Sequence, residues 1–261
     1  MTADLLDPIP ILGILVLFAV VALLAYEIGF RIGRWYQERT PEEKEGPTGM
    51  LVGSLLALMA FLLAVTMGMA SDRFDTRRGL VLDAANSIGT TYLRAGFLPA
   101  PADEEVRNLL REYAPLRVNT GDLAQLLANF ERSEEILADL WAITEELEPT
   151  QGERPTFALV VESLNDTIDR HEMRIAAVIY ARVPETVLLL LFLGSALTLG
   201  MVGYSAGLTR RRSPITAVVL VVVLGAVIML IVDLDRPRDG FLQVSQQPLL
   251  DLIEQIGPPT P

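Results

Sequence analysis

The chain has no cysteine and a single histidine, His171. Lack of cysteine rules out disulfides and thiol chemistry, and one histidine leaves a zinc site short of ligands. Phosphate-cradling glycine loops, a nucleophile elbow and kinase signatures are missing too. Nothing therefore points to an enzyme, and no cofactor is expected. Positive charge is scarce: 21 Lys and Arg face 33 Asp and Glu, a net charge of −12. That balance argues against a nucleic-acid partner, whose phosphates demand a basic footprint. No segment alternates with period two for long enough to be a strand.

Charge is also absent locally. Residues 8–26, 46–71, 186–209 and 213–232 contain no charged side chain. A helix rising 1.5 Å per residue crosses ~30 Å of hydrocarbon in about 20 residues, so each run is long enough to span a bilayer. The first is read as a span and not a cleaved signal, because no Lys or Arg precedes it and no A-x-A site closes it. Glu27, Glu185 and Asp233 lie only at span ends. Ion-coupled transporters need ionisable groups inside the membrane, so coupled transport is not expected.

What is present between spans two and three is a polar segment, residues 72–183, with 12 basic and 20 acidic side chains. It reads as helical throughout. Phe74, Val81, Ala85, Ile88, Tyr92 and Ala95 recur at heptad spacing, with Arg78 at the remaining seam position. Further stripes run through Val106, Leu109, Leu110 and Tyr113, then Leu123, Leu126, Leu127, Phe130, Leu137, Leu140 and Trp141, then Phe157, Val161, Leu164, Ile168, Ile175 and Val178. Breaks are expected at "LPAPAD", "NTGD" and "EPTQGERP", which are rich in Pro, Gly and capping residues. No breaker separates span two from the first of these stripes, so one helix should run through both.

The expected fold is an all-α membrane protein with four transmembrane helices and a helical extramembrane bundle inserted between spans two and three. Residues 8–71 hold transmembrane helices one and two. Residues 72–183 form the extramembrane domain, continuous with spans two and three. Residues 184–232 hold helices three and four, and 233–261 form a tail with a short amphipathic helix through Leu249, Leu250, Ile253 and Ile256.

Small residues recur in two spans: Gly53, Ala57, Ala60, Ala64 and Gly68 in the second, Ala196, Gly200, Gly203 and Gly207 in the third. Such stripes let helix backbones approach closely in lipid. The contact is within one chain or between subunits; both readings stand. Leu58, Phe61 and Val65 share one face of span two. They would face lipid, a neighbouring helix or a narrow apolar constriction of a pore. Asp233, Asp235 and Asp239 cluster after span four. Calcium ligation is conceivable there, but Arg236 and Arg238 among them make intrachain pairing the stronger expectation, so no metal site is assigned. His171 sits in a helix seam, where a hydrogen-bonded core residue is expected before a metal site or pH sensor.

The stretch "ASDRFDTRRGLVLDAANSIG", residues 70–89, resembles the bestrophin family, in which a pore-lining helix leaves the membrane through a Tyr-Asp-Arg-Trp-Trp-Glu-x-Arg-Lys type sequence. Asp72, Arg73, Arg77, Arg78, Leu80 and Val81 match that pattern, and Phe74 stands for one aromatic of the pair. "DLDRPRDGFLQVSQQPLLDLIEQI" is similar to the acidic-Asn-Pro-Phe-Gly turn and tail helix that follow the last bestrophin span, through Pro237, Gly240 and Leu249–Leu250. The resemblance implies a homo-pentamer in the bacterial inner membrane, permeable to small inorganic anions and lined by span two. Carried over from Arg73, the neck falls at Ala57, Phe61 and Val65. It also implies cytoplasmic termini and a cytoplasmic bundle. Loop charge does not decide the orientation, and Arg210–Arg212 in the short second hairpin favour the reverse. An alternative without transport is a membrane sensor or scaffold whose bundle binds a ligand or partner.

Overall fold

The structure, a computed structural model, describes residues 9–40, 46–118, 122–179, 183–236 and 240–259. Lys44, Arg182, Pro237, Arg238, Asp239 and most of the "NTGD" break lie outside these residues, as do the side chains of Leu123 and Val178. The described residues form eight helices and no strand: α1 (Ile11–Arg39), α2 (Gly46–Ala95), α3 (Ala102–Leu116), α4 (Leu123–Gln151), α5 (Pro155–Ile179), α6 (Glu185–Leu208), α7 (Pro214–Asp235) and α8 (Gln247–Ile256). Four of them, α1, α2, α6 and α7, are long and apolar enough to cross a membrane. The chain divides into two compact units, one comprising Met1–Arg73, Arg182–Arg236 and Gly240–Leu242, the other Phe74–Ala181, Pro237–Asp239 and Gln243–Pro261.

Helix α2 has 50 residues and is unbroken where "MASDRF" turns from apolar to charged. None of these residues ends a helix: Gly and Pro are absent, and Met69, Ala70 and Arg73 are good helix formers. Its residues up to Arg73 belong to the first unit and the rest to the second.

In the first unit α1 packs against α6 and α7. Glycine makes the α1–α6 contact close. A Cβ at Gly203 would fall on the carbonyl oxygen of Tyr26, one at Gly207 on that of Phe30, and one at Gly29 on that of Gly200. Gly33 meets Tyr204 in the same way. Both helices therefore present bare backbone to each other, the arrangement that gives dispersion contact where lipid removes any hydrophobic drive. Arg212 in the α6–α7 turn donates to Glu27 at 2.6 Å and lies over the Phe30 ring at 5.3 Å. Arg210 takes a φ of 53°, a left-handed conformation that reverses the chain within a few residues.

The core of the second unit is built from the later part of α2 and from α3, α4, α5 and α8. Val81, Ile88, Val106, Leu110, Tyr113, Ile136, Leu140, Leu164, Leu249 and Ile256 are all buried in it. Each fully buried Leu or Ile contributes about 1.5–3 kcal/mol. Asp103, Glu104 and Glu105 stand in the first turn of α3, where carboxylates suit the positive end of the helix dipole. Asp122 caps α4 by accepting the Ala124 N–H at 3.0 Å. Gly257, with φ 74°, ends α8. Arg111 then donates to the Ile256 carbonyl at 3.0 Å and to the Tyr92 hydroxyl at 2.6 Å, tying α8, α3 and α2 together.

Two seam assignments shift. Arg77 is buried and Arg78 exposed, the reverse of the heptad reading. In α4 the inward positions are Asn129, Ser133, Ile136, Leu137, Leu140 and Thr144, whereas Leu127 is 48% exposed. The "EPTQGERP" break comes late, because α4 carries Pro149 in its last turn and ends at Gln151.

Candidate pore face and buried polar sites

Helix α2 is two-faced inside the first unit. Met59, Leu63, Thr66 and Ala70 are buried, and Met59 meets Gly194 of α6, where a Cβ would lie 2.8 Å from the sulfur. The opposite face holds every residue singled out for a constriction. Phe61 is 63% exposed, Leu58 52% and Val65 48%, and Ala57 is exposed beside them. The small-residue stripe lies on that side as well. Ala60 and Ala64 are exposed, and a Cβ added to Gly53 or Gly68 would meet nothing within 4 Å. Ala196 of α6 is half-buried, whereas Gly203 and Gly207 are filled by α1. Of the charged motif residues, Asp72 and Arg78 are exposed, Arg73 is half-buried and Arg77 is buried.

The carboxylates in the last turn of α7 are committed to the backbone. Asp233 accepts the Phe241 N–H at 2.7 Å through Oδ1 and the Leu242 N–H at 3.0 Å through Oδ2. Asp235 accepts the Val183 N–H at 2.7 Å. Gly240 fits closely beside this turn: a Cβ there would lie 3.0 Å from Asp233 Oδ1 and 3.2 Å from the Asp233 carbonyl oxygen, so Asp233 would have to shift to admit one. No group of three or more potential metal ligands occurs among the described residues.

His171 lies in the core of the second unit, 1% exposed. Its Nδ1 is 2.8 Å from Arg117 Nη1 and 3.2 Å from the Tyr113 hydroxyl, and its ring stands edge-on to Phe130. Arg174 reaches into the same region and donates to Gln246 at 3.3 Å. Burial and the two guanidiniums hold the His171 pKa down at about 3. Burial and Arg117 bring that of Arg174 down to about 9, and burial lowers that of Arg117. Nearby, by contrast, Thr91 hydrogen-bonds the Ser163 carbonyl at 2.8 Å and the Thr167 hydroxyl at 3.0 Å, so that buried polar contact is satisfied.

Sequence reasoning missed Gly29 and Gly33, the α1 half of the glycine contact, because Glu27 ends the uncharged run before them and Arg31 and Arg34 follow closely. It also missed Arg117, Ser133 and Arg174, whose common surroundings depend on the packing of α3, α4 and α5.

The bestrophin-like domain model matches residues 15–249. The chain belongs to the bestrophin-like family. Crystal structures of a bacterial bestrophin homologue from Klebsiella pneumoniae share the bestrophin fold with it. For a Tyr-to-Ala variant of that protein the TM-score is 0.67 at 17% identity, over 94% of this chain and 97% of that one. A Leu-to-Thr variant gives 0.65 at 17% identity over 94% and 97%, and the structure phased on zinc gives 0.64 at 16% identity over 94% and 95%. No functionally curated protein matches the chain.

Proposed function

We propose that this bestrophin-like chain is the subunit of a homo-oligomeric channel for small inorganic anions in the bacterial inner membrane, with α2 lining the pore. The observation that carries this reading is the outward face of α2. It combines Gly53, Ala57, Ala60, Ala64 and Gly68 with Leu58, Phe61 and Val65, and the chain's own helices leave all of them uncovered. Large apolar side chains on α1, α6 and α7 suit lipid. Small residues gain little there, and their usual purpose is the approach of another helix. A second copy of α2 is the partner that symmetry supplies most simply. Five copies, as the family resemblance implies, would place Phe61 and Val65, with Ala57, around a narrow apolar neck that gates by dewetting. In the same reading residues 72–183 form an extramembrane bundle, with the bundle and both termini on the cytoplasmic side.

Native mass spectrometry of the detergent-purified protein tests the assembly: a pentamer is expected, and a stable monomer removes the shared pore. Planar-bilayer recording tests the neck. Phe61→Ala with Val65→Ala should raise single-channel conductance, because the apolar constriction that gates by dewetting is removed. An active channel with unchanged current would move the neck elsewhere. The unbroken α2 favours a second reading, a membrane sensor that passes motion along this helix, which a stable monomer would bring forward.

A further inference from the structure

The interior of the second unit holds a set of buried hydrogen-bond donors that nothing receives. Arg117 Nε and Nη2, His171 Nε2, Arg174 Nη1 and the Ser133 hydroxyl are all buried and without a hydrogen-bond partner. Buried polar atoms are nearly always paired, because each one left alone costs about 1–3 kcal/mol and more when charged. These atoms lie on neighbouring helices of one unit: Arg117 at the end of α3, Ser133 one turn beyond Phe130 on α4, His171 and Arg174 one turn apart on α5.

Their chemistry is uniform. An arginine carries donors only, so the 2.8 Å contact from Arg117 Nη1 makes His171 Nδ1 the acceptor. The imidazole proton then sits on Nε2, which becomes a donor in turn. Four of the five unpartnered atoms are thus N–H donors, and the fifth is a hydroxyl free to donate. Two of the residues are guanidiniums that keep their charge at neutral pH, and the histidine between them is neutral. No ion pair to Arg117 or Arg174 occurs among the described residues. Glu134, Glu145 and Glu172 line the pocket beside His171, but all three are exposed to solvent and none pairs with either arginine. The Tyr113 and Phe130 rings stand beside the Arg117 guanidinium, at 5.6 and 5.8 Å, and wall it from water. Two buried positive charges and unmet donors call for a negatively charged acceptor that reaches inside, which the exposed glutamates do not supply.

From this we infer that the Arg117–His171–Arg174 cluster binds a small inorganic anion, a halide or an oxyanion, inside the helical unit and apart from the α2 face. The anion would accept from the free N–H groups of the two guanidiniums, with His171 held neutral beside them. It would act as a structural counter-ion that lets α3, α4 and α5 close on two arginines. The site does not depend on conduction.

The test uses the full-length protein in detergent, melted in sodium chloride, bromide or phosphate against sodium gluconate at equal ionic strength. A saturable rise in melting temperature with a small anion, absent in gluconate, is expected. Arg174→Gln should weaken the half-saturating concentration roughly tenfold or more, as loss of one charge-assisted contact does, while Phe61→Ala with Val65→Ala leaves it unchanged. Loss in the pore variant and not in Arg174→Gln would place the bound anion in the pore and overturn the inference. Should Arg174→Gln not fold, Arg174→Lys provides the milder change, keeping the charge and losing the fork of donors. Anomalous diffraction from crystals grown in bromide then locates the ion. A peak within hydrogen-bond distance of the free Arg117 N–H groups and Arg174 Nη1 supports the site. Equal melting in every salt, or water alone at that position, overturns it.

Discussion

Helices α6 and α2 carry the same kind of small-residue stripe and meet opposite fates. Along α6, Gly203 and Gly207 press on the backbone of α1 so closely that no side chain fits. Along α2, Gly53 and Gly68 look into open space. The spacing of small residues therefore announces a close helix contact without saying whose helix supplies the other side. The partner of α6 is within the chain. That of α2, in the reading proposed above, is another copy.

The sharpest way to break this comparison is Gly203→Leu. The side chain would have to displace the Tyr26 backbone, and overpacking of this severity costs more than about 3 kcal/mol. Loss of the monodisperse peak in size-exclusion chromatography is expected. A variant that folds normally would show that the α1–α6 contact can separate.

A smaller effect distinguishes an interior filled by apolar side chains from the one around His171. The folded-state pKa of about 3 lies below the usual 6.5 of an unfolded histidine. The unfolded chain therefore takes up a proton as pH falls through 6.5, and the folded chain does not until about pH 3. The stability from this group is fully present above pH 6.5 and declines below it, by roughly 2 kcal/mol at pH 5. The charged and titratable groups around the ring are Tyr113 and Arg117 from α3, Glu134 and Glu145 from α4, and Arg174 and Glu172 from α5. Denaturant melts at pH 7 and pH 5 should show the difference, and His171→Gln should flatten it. An unchanged slope in that variant would assign the pH dependence to other groups.

Gly68→Ala has the smallest effect and the most instructive sign. With nothing within 4 Å, the methyl group fits the single chain and should stabilise the helix by about 0.5–1 kcal/mol. If a second α2 approaches this face, the same methyl group should loosen the oligomer. A higher melting temperature with a smaller pentamer fraction in native mass spectrometry supports the subunit contact. A rise in melting temperature with no change in assembly would return the face to lipid.

The four spans were legible because exclusion of charge from hydrocarbon writes itself directly into a sequence. The continuity of α2 was legible because nothing in "MASDRF" can stop a helix. Rotational detail was harder. A seam read at 3.5 residues per turn drifts against a helix of 3.6, so Arg78 was placed where Arg77 stands. Along α4 the apolar pattern favoured Leu127, but the core accepts Asn129, Ser133 and Thr144, whose burial depends on neighbours far away in the chain. Arg117 and His171 are 54 residues apart, and no local pattern brings them together. The α2 face was legible as residue types only, since the same Leu, Phe and Val would suit lipid equally well.

Asp233 sets a limit on how the chain beyond α7 can vary. Its two oxygens receive two successive backbone N–H groups, those of Phe241 and Leu242. An asparagine would offer one oxygen and turn its amide hydrogens toward the other donor. A glutamate, one methylene longer, would have to fold back to reach either. Phe241 and Leu242 themselves contribute only main-chain atoms to this contact and are exposed, so their side chains are free to drift. The turn is thus remembered by one acidic position and by the Gly240 that makes room for it, while the residues it holds can change their identity.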